Sequence, residues 1–365
     1  MNLLVFNLGM DADHSVLGHT TGWTNELARR CDHVSVITMF SGRLDVDENV
    51  TVHSLGKELG RSEPRRLVEF YRHVRRVLDE RPVDACFAHM APLFTVLFAP
   101  VARKRRIPVL LWYAHPSVTR TLRVAVAVAD RCVTATPASF PLASDKLYVL
   151  GHGIDIDRFG PPLRTQPEYE TSAVSVGRMS RRKHLDEMIE AVAALSRDHG
   201  LALRLELVGG PSTSADRAYL SELERAVVSL DVAQLVRFRG PVPFHEVAPC
   251  YHRALLSLNL SDTALDKAIL ESMASGCIPI SRNPAFRELA EANDLCSLVP
   301  PPGAHGLADC IVSVLERGRM DRSALVDRLR RIVAEEHSMT TLADRLMGHL
   351  SELSAISRAP RTAVP

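Results

Sequence analysis

Ala173–Lys183 reads AVSVGRMSRRK, and a helical pattern, HLDEMIEAVAAL, follows from His184. A short apolar strand runs into Gly177, then into four cations, then into a helix. That order is how an α/β unit builds a phosphate site. Gly177 lets backbone approach a ligand, Arg178 offers a planar fork, Lys183 a compact charge, and the helix start a partial positive charge. A solvated basic loop would carry the same residues, so the stretch alone leaves both readings open.

Downstream the same alternation continues. Apolar runs at Leu203–Val208, Val236–Arg239, Leu255–Leu258 and Ile278–Ser281, with a weaker one at Cys296–Val299, are separated by amphipathic stretches, the mark of a parallel sheet with crossover helices. Upstream a second series is expected at Leu3–Asn7, Val34–Thr38, Thr51–Ser54, Asp84–Ala88, Val109–Tyr113, Cys132–Ala135 and Leu147–Leu150. The fold class is therefore α/β with two Rossmann-like domains. The expected boundaries are 1–160 and 165–335, joined by the proline-rich GPPLRTQPEYE from Gly160 to Glu170, with a helix over 338–356 returning to the first domain.

Composition agrees. The 365 residues are 46% hydrophobic and 24% charged, with a net charge of +1, which excludes disorder and a globally basic nucleic-acid binder. Seven cysteines are scattered and never in a CxxC pair, so neither a disulfide framework nor a zinc ribbon is expected and a reducing cytoplasm fits. The start, MNLLVFNLGMDADHS, is unlike a signal peptide. Ala85–Ala102 is broken by His89, Pro92 and Pro100 and is expected to form a strand and a helix, not a membrane span.

Two further stretches lie where doubly wound sheets place ligands, at the carboxyl ends of strands. One is Gly209 Gly210, which a plain tight turn also explains. The other is SDTALDKAILESMASGCIP, residues 261–279, in which a strand ends and a helix starts near Asp266. Glu271, one turn into that helix, is placed to accept hydrogen bonds from ribose hydroxyls; a helix-surface glutamate is the plainer reading. No histidines pair at metal-ligand spacing. His115, in WYAHPS (residues 112–117), and His89 both follow strands, and Gly18 with His19 lies between the first strand and the first helix.

In order and spacing these constellations resemble the second domain of the retaining GT-B glycosyltransferases of the family 4 type, the glycosyl transferases group 1. Gly177 Arg178 with Lys183 is similar to the Gly-Arg-Leu-Ser-x-x-Lys signature, Leu207–Gly210 to the strand-and-glycine turn, and Phe238 Arg239 Gly240 to the Phe-x-Gly near the nucleobase. Leu270–Pro279 resembles Leu-Glu-Ala-Met-Ala-x-Gly-x-Pro. The resemblance implies two Rossmann-like domains facing across a cleft, with the C-terminal helix crossing back. It also implies donor-binding residues Gly18, Gly177, Arg178, Lys183, Gly209, Gly210, Arg239, Asp266, Lys267, Ala268 and Glu271. His115 would then lie near the reacting sugar, with Arg178 and Lys183 stabilising the leaving diphosphate. The sequence departs from the family at Thr263, where a first glutamate is usual, and at Ala264 Leu265 Asp266 in place of Gly-Phe-Gly. Lys267 is expected to supplement or replace backbone amides at the donor.

The implied reaction is transfer of a hexose-type sugar from a nucleoside diphosphate to a hydroxyl acceptor with retention, needing neither cofactor nor metal, since the cations neutralise the diphosphate. A nucleotide-sugar 2-epimerase on the same fold and a non-catalytic sugar-nucleotide-binding subunit are the alternatives. One surface adds a partner. Arg61–Arg81, RSEPRRLVEFYRHVRRVLDER, carries an apolar stripe expected at Leu67, Phe70, Tyr71, Val74, Val77 and Leu78, with Arg65, Arg66, Arg72, Arg75 and Arg76 off it. With Arg103–Arg106 these form a cationic face suited to an anionic inner-membrane surface carrying a lipid-linked acceptor. A core-facing helix with a solvated arginine side is the plainer reading.

Overall fold

A computed structural model describes residues 1–14, 17–115, 117–160, 171–262 and 265–358, and within them the side chains of all but 317–321. The linker from 161 to 170, Pro116, Thr263 and Ala264 fall outside it. The chain divides into two compact units, Met1–Gly153 with Met339–Pro365, and Ile154–Ser338.

The first unit contains β1 (Asn2–Asn7), α1 (His19–Ala28), β2 (His33–Thr38), β3 (Val50–Ser54), α2 (Glu63–Glu80), β4 (Ala85–His89), α3 (Pro92–Arg105), β5 (Val109–Trp112), α4 (Arg120–Val128), β6 (Arg131–Thr134) and β7 (Leu147–Val149). Its strands form one parallel sheet in the order β3-β2-β1-β4-β5-β6-β7. Side chains alternate across a strand, so each face of this sheet needs its own cover. Leu4 and Phe6 pack with Phe70, Phe94 and Phe98 from α2 and α3 on one face. Leu3 and Val5 pack with Trp23 and Leu27 on the other, and with Leu342, Leu346 and Leu350 from the chain's last helix, Met339–Arg358.

The second unit contains β8 (Ser172–Val176), α5 (Leu185–His199), β9 (Arg204–Val208), α6 (Ser214–Ser229), β10 (Val236–Gly240), α7 (Val247–His252), β11 (Leu256–Asn259), α8 (Lys267–Ala274), β12 (Ile278–Ser281), α9 (Pro284–Ala292) and α10 (Ala304–Glu336). The helix Met339–Arg358 is α11. The five strands are parallel in the order β10-β9-β8-β11-β12. The order reverses between β8 and β11, and ligands sit at such reversals in open α/β sheets. Local chemistry sets the helix starts around it. Thr213 and Asp216 make a reciprocal capping box on α6, Asn283 caps α9 ahead of Pro284, and Asp266 caps α8.

Four expectations need correction. The unit boundary lies at Gly153/Ile154, not near 160, because Ile154 and Phe159 are buried in the second unit's core. The run Cys296–Val299 is no strand: Cys296–Leu298 form a 3-10 turn whose bonds are local, Leu298 N to Leu295 O and Val299 N to Cys296 O. His19–Trp23 lies inside α1, with Gly18 as its N-cap. On α2 the apolar stripe is narrower than its spacing suggests. Phe70, Val74 and Val77 are buried, but Leu67 and Tyr71 are 44% and 41% exposed, and Glu69 and His73 turn inward instead. His73 lies against His53 with ring centroids 5.0 Å apart and the rings tilted by 30°. Burial, then the neighbouring His73, pushes His53 down to about 4, so the pair is neutral core at pH 7.

Candidate functional site

The loops after β8 and β11 meet at the reversal point of the second unit's sheet. Gly177 ends β8 with φ +138°, a conformation only glycine adopts readily. A Cβ there would stand 3.0 Å from Lys183 Nζ. The turn after β9 locks onto the same spot: Gly209 has φ +132°, and a Cβ on it would lie 1.9 Å from the Gly177 carbonyl oxygen. Met179 N donates to Gly210 O at 3.1 Å. The two glycine turns therefore need each other, and Gly209 is required by close approach as well as by its turn.

Lys183 crosses from this turn to the start of α8, where its ammonium pairs with Asp266 Oδ2. Asp266 also accepts from Asn259 Nδ2 at 3.0 Å and from the Ala268 N–H at 3.2 Å. Burial works to raise this carboxyl, but the Lys183 charge and the hydrogen bonds from Lys183, Asn259 and Ala268 together hold it below its ordinary range. Asn259 is fixed in turn, its Oδ1 accepting from Ser261 N and Oγ at 3.1 and 2.7 Å. Sequence reading missed Asn259; a buried polar side chain at the end of an otherwise apolar strand was the signal for it.

Glu271 is not on the helix surface. It is 8% exposed, and among the described residues no hydrogen-bond donor meets its carboxylate. Burial, opposed by the charge of Lys267 one turn earlier, pushes it up to about 7. Burial likewise lowers Lys267, with Glu271 acting the other way. Beneath them the fully buried Tyr251 donates from Oη to Ala268 O at 3.0 Å. A carboxylate with no hydrogen-bond donor among the described residues, beside two ammonium groups and a helix start, suits a ligand bearing hydroxyls next to an anion.

The remaining candidates are placed as follows. Arg178 is half exposed beside the Gly177 turn, its Nε 3.9 Å from Asp216 Oδ2. Arg239 stands on the edge strand β10 and is held by Glu206 at 3.4 Å and Glu246 at 3.9 Å, with no contact to the Lys183–Asp266 group. A second unforeseen pair lies along α5: Arg282 makes a two-pronged ion pair with Glu187 at 2.6 and 2.7 Å, and Gly303 N donates to the same carboxylate at 3.0 Å, tying the start of α5 to the ends of β12 and the loop before α10. Gly18 and His115 belong to the first unit. His115 is exposed beyond the end of β5, where its Nδ1 accepts from Ser117 N at 3.1 Å. His89 is buried at the end of β4, 4.6 Å from the Trp23 ring.

Two parallel α/β sheets, one carrying a glycine-and-lysine turn at its reversal point, define the GT-B class of fold. Solved structures share it. Anabaena Alr3699/HepE, crystallised with UDP-glucose, aligns with TM-score 0.71 and 17% identity over 96% of this chain and 100% of that one. Sucrose-phosphate synthase from Thermosynechococcus elongatus aligns with TM-score 0.74 and 16% identity over 98% and 100%. Residues 170–317, within the second unit, match the family of glycosyl transferases group 1. WcaL of Escherichia coli K12, named as a colanic acid biosynthesis glycosyltransferase, is 27% identical over 218 residues, covering 57% of this chain and 52% of WcaL. The chain thus spans about half the length of the curated relatives it matches.

Proposed function

We propose that the protein transfers a hexose-type sugar from a nucleoside diphosphate to a hydroxyl acceptor, with retention and without a metal ion. The observation that carries this is the convergence of Gly177, Lys183, Asp266, Lys267 and Glu271 at one reversal point: cations and a helix start for the diphosphate, and a buried unpartnered carboxylate for ribose. The HepE structure with UDP-glucose supports a nucleotide-sugar donor. As the glycosidic bond breaks, negative charge grows on the leaving diphosphate, and Arg178, Lys183 and Lys267 are the groups to stabilise it. His115 is assigned to the reacting sugar on family resemblance. Gly209 and Gly210 shape the turn, and Arg239 acts at the nucleobase end.

The reading places the protein in the cytoplasm, with the first unit resting on an anionic membrane that presents a lipid-linked acceptor. Leu67, Val68 and Tyr71 on α2 and Leu93 on α3 are exposed, and Tyr71 Oη reaches Leu97 O at 3.1 Å, so the two helices present one apolar patch. Arg72, Arg75 and Arg76 pair with acids on their own helix. Among the described residues, Arg103–Arg106 are exposed cations without an ion pair. No helix among the described residues is long and apolar enough to cross a membrane.

Calorimetric titration with UDP, GDP and their glucose and mannose derivatives, followed by product analysis with EDTA present, tests the reading. Transferred sugar with its anomeric configuration kept supports it. An epimerised nucleotide or a bound but unchanged one gives the protein to one of the two alternatives.

A further inference from the structure

We infer that Asp266 is a built-in competitor for the diphosphate, whose fixed charge favours release of the spent nucleoside diphosphate over release of the intact nucleotide sugar. The inference rests on the donor-site reading above. Asp266 gathers an ammonium from Lys183, an amide from Asn259 at 3.0 Å and the Ala268 N–H at the start of α8 at 3.2 Å. Those are the donors a phosphate oxygen seeks. With its side chain about one-fifth exposed, this is no solvated surface acid.

The same Lys183 ammonium lies beside Gly177, where a Cβ would stand 3.0 Å from Nζ, so a diphosphate seated on the glycine turn shares Lys183 with Asp266. Glu271 is a second acid that interacts electrostatically with Asp266, Lys183 and Lys267. The site is therefore less positive than its cations suggest.

A nucleotide sugar carries two charges on its diphosphate. The free nucleoside diphosphate carries about one more near neutral pH, because its terminal phosphate titrates near pH 6. A fixed carboxylate opposes that added charge and leaves the rest of the ligand's interactions equal. At an effective dielectric of about 20, one added charge against one carboxylate changes the equilibrium about tenfold even at a separation of about 12 Å, and by more for a phosphate that shares the Lys183 ammonium. Asp266 is thus a specificity residue that acts between donor and product.

The test is calorimetric titration of the full chain and its Asp266→Asn variant with UDP and UDP-glucose, and with GDP and GDP-mannose, at pH 8. Asparagine keeps a helix cap and an oxygen acceptor and removes only the charge. The variant is expected to tighten the free diphosphate at least about tenfold more than the matching sugar nucleotide, with stronger product inhibition, and Asp266→Glu to restore the wild-type ratio. Equal changes in both affinities, or a diphosphate that binds more weakly to the variant, would overturn the inference and leave Asp266 as an anchor for Lys183. If wild type binds neither pair, the donor-site reading itself falls and this inference with it. Should the asparagine variant melt early, Asp266→Ser, also a good cap, gives the same ratio measurement.

Discussion

Replacing Glu271 with glutamine separates the charge of this side chain from its shape. In the folded protein burial raises the carboxyl from 4.5 to about 7. A group whose folded pKa lies above its unfolded one contributes stability that is fully present below the unfolded pKa and is lost as pH rises through the folded one. For Glu271 the loss runs from about pH 4.5 to about pH 7 and is complete above it. At about 1.36 kcal/mol per unit, the shift amounts to about 3 kcal/mol. Glu271→Gln removes this dependence, so the free variant is expected to exceed wild type by only about 1 kcal/mol at pH 5 and by up to about 3 kcal/mol at pH 8. For a unit of this size that is a rise in melting temperature on the order of 6–10 °C. Calorimetric melts of both proteins at pH 5, 6.5 and 8 measure it. Nucleoside binding moves oppositely. Ribose hydroxyls donate to the ionised carboxylate, so wild-type affinity for uridine or guanosine is expected to climb with pH toward a plateau above 7, while the variant binds weakly at every pH. A stability difference that stays constant across pH would refute the reasoning, since only a titrating buried carboxyl makes it grow.

Lys183→Ala and Arg178→Ala are each expected to weaken a nucleoside diphosphate by roughly 1.5–3 kcal/mol, read by calorimetry; wild-type affinity in both would move the diphosphate elsewhere. His115→Ala is expected to lower turnover far more than donor affinity, because a group at the reacting sugar acts in the transition state, and steady-state kinetics beside donor titration will separate the two. Gly209→Ala forces a Cβ to 1.9 Å from a backbone oxygen at a positive φ, so denaturant melts should show a loss of about 3 kcal/mol or more, and a neutral result would contradict the interlocked turns. On anionic vesicles the protein should sediment at low salt and release as salt rises, with Arg103, Lys104 and Arg105 to glutamine weakening it more than Arg72, Arg75 and Arg76 to glutamine; absence of binding at low salt points to a soluble acceptor.

Much of the architecture was readable from residue order alone. Strands in parallel sheets are short apolar runs bounded by turn residues, and all seven in the first unit and five in the second announce themselves that way; Cys296–Val299 misled because a run that short also fits a local turn. Motif order likewise singled out Gly177 at the end of β8, Lys183 in the turn that follows and Glu271 on α8, since glycine, cation and carboxylate carry their chemistry in their identity.

Partnership was another matter. Lys183 and Asp266 are 83 residues apart, and only the β8–β11 reversal brings their loops together. Glu271 sits on a helix whose period leaves its exposure open, and it was tertiary packing that buried it and raised its pKa. On α2, periodicity placed Leu67 and Tyr71 in one stripe with Phe70, but a helix face is divided by what packs on it, and the neighbouring elements covered only part of that stripe. Sequence by itself determined which groups this protein has and on which elements they lie; the tertiary structure decided which of them meet and which lose their water, because long-range contact and desolvation are properties of the packed chain.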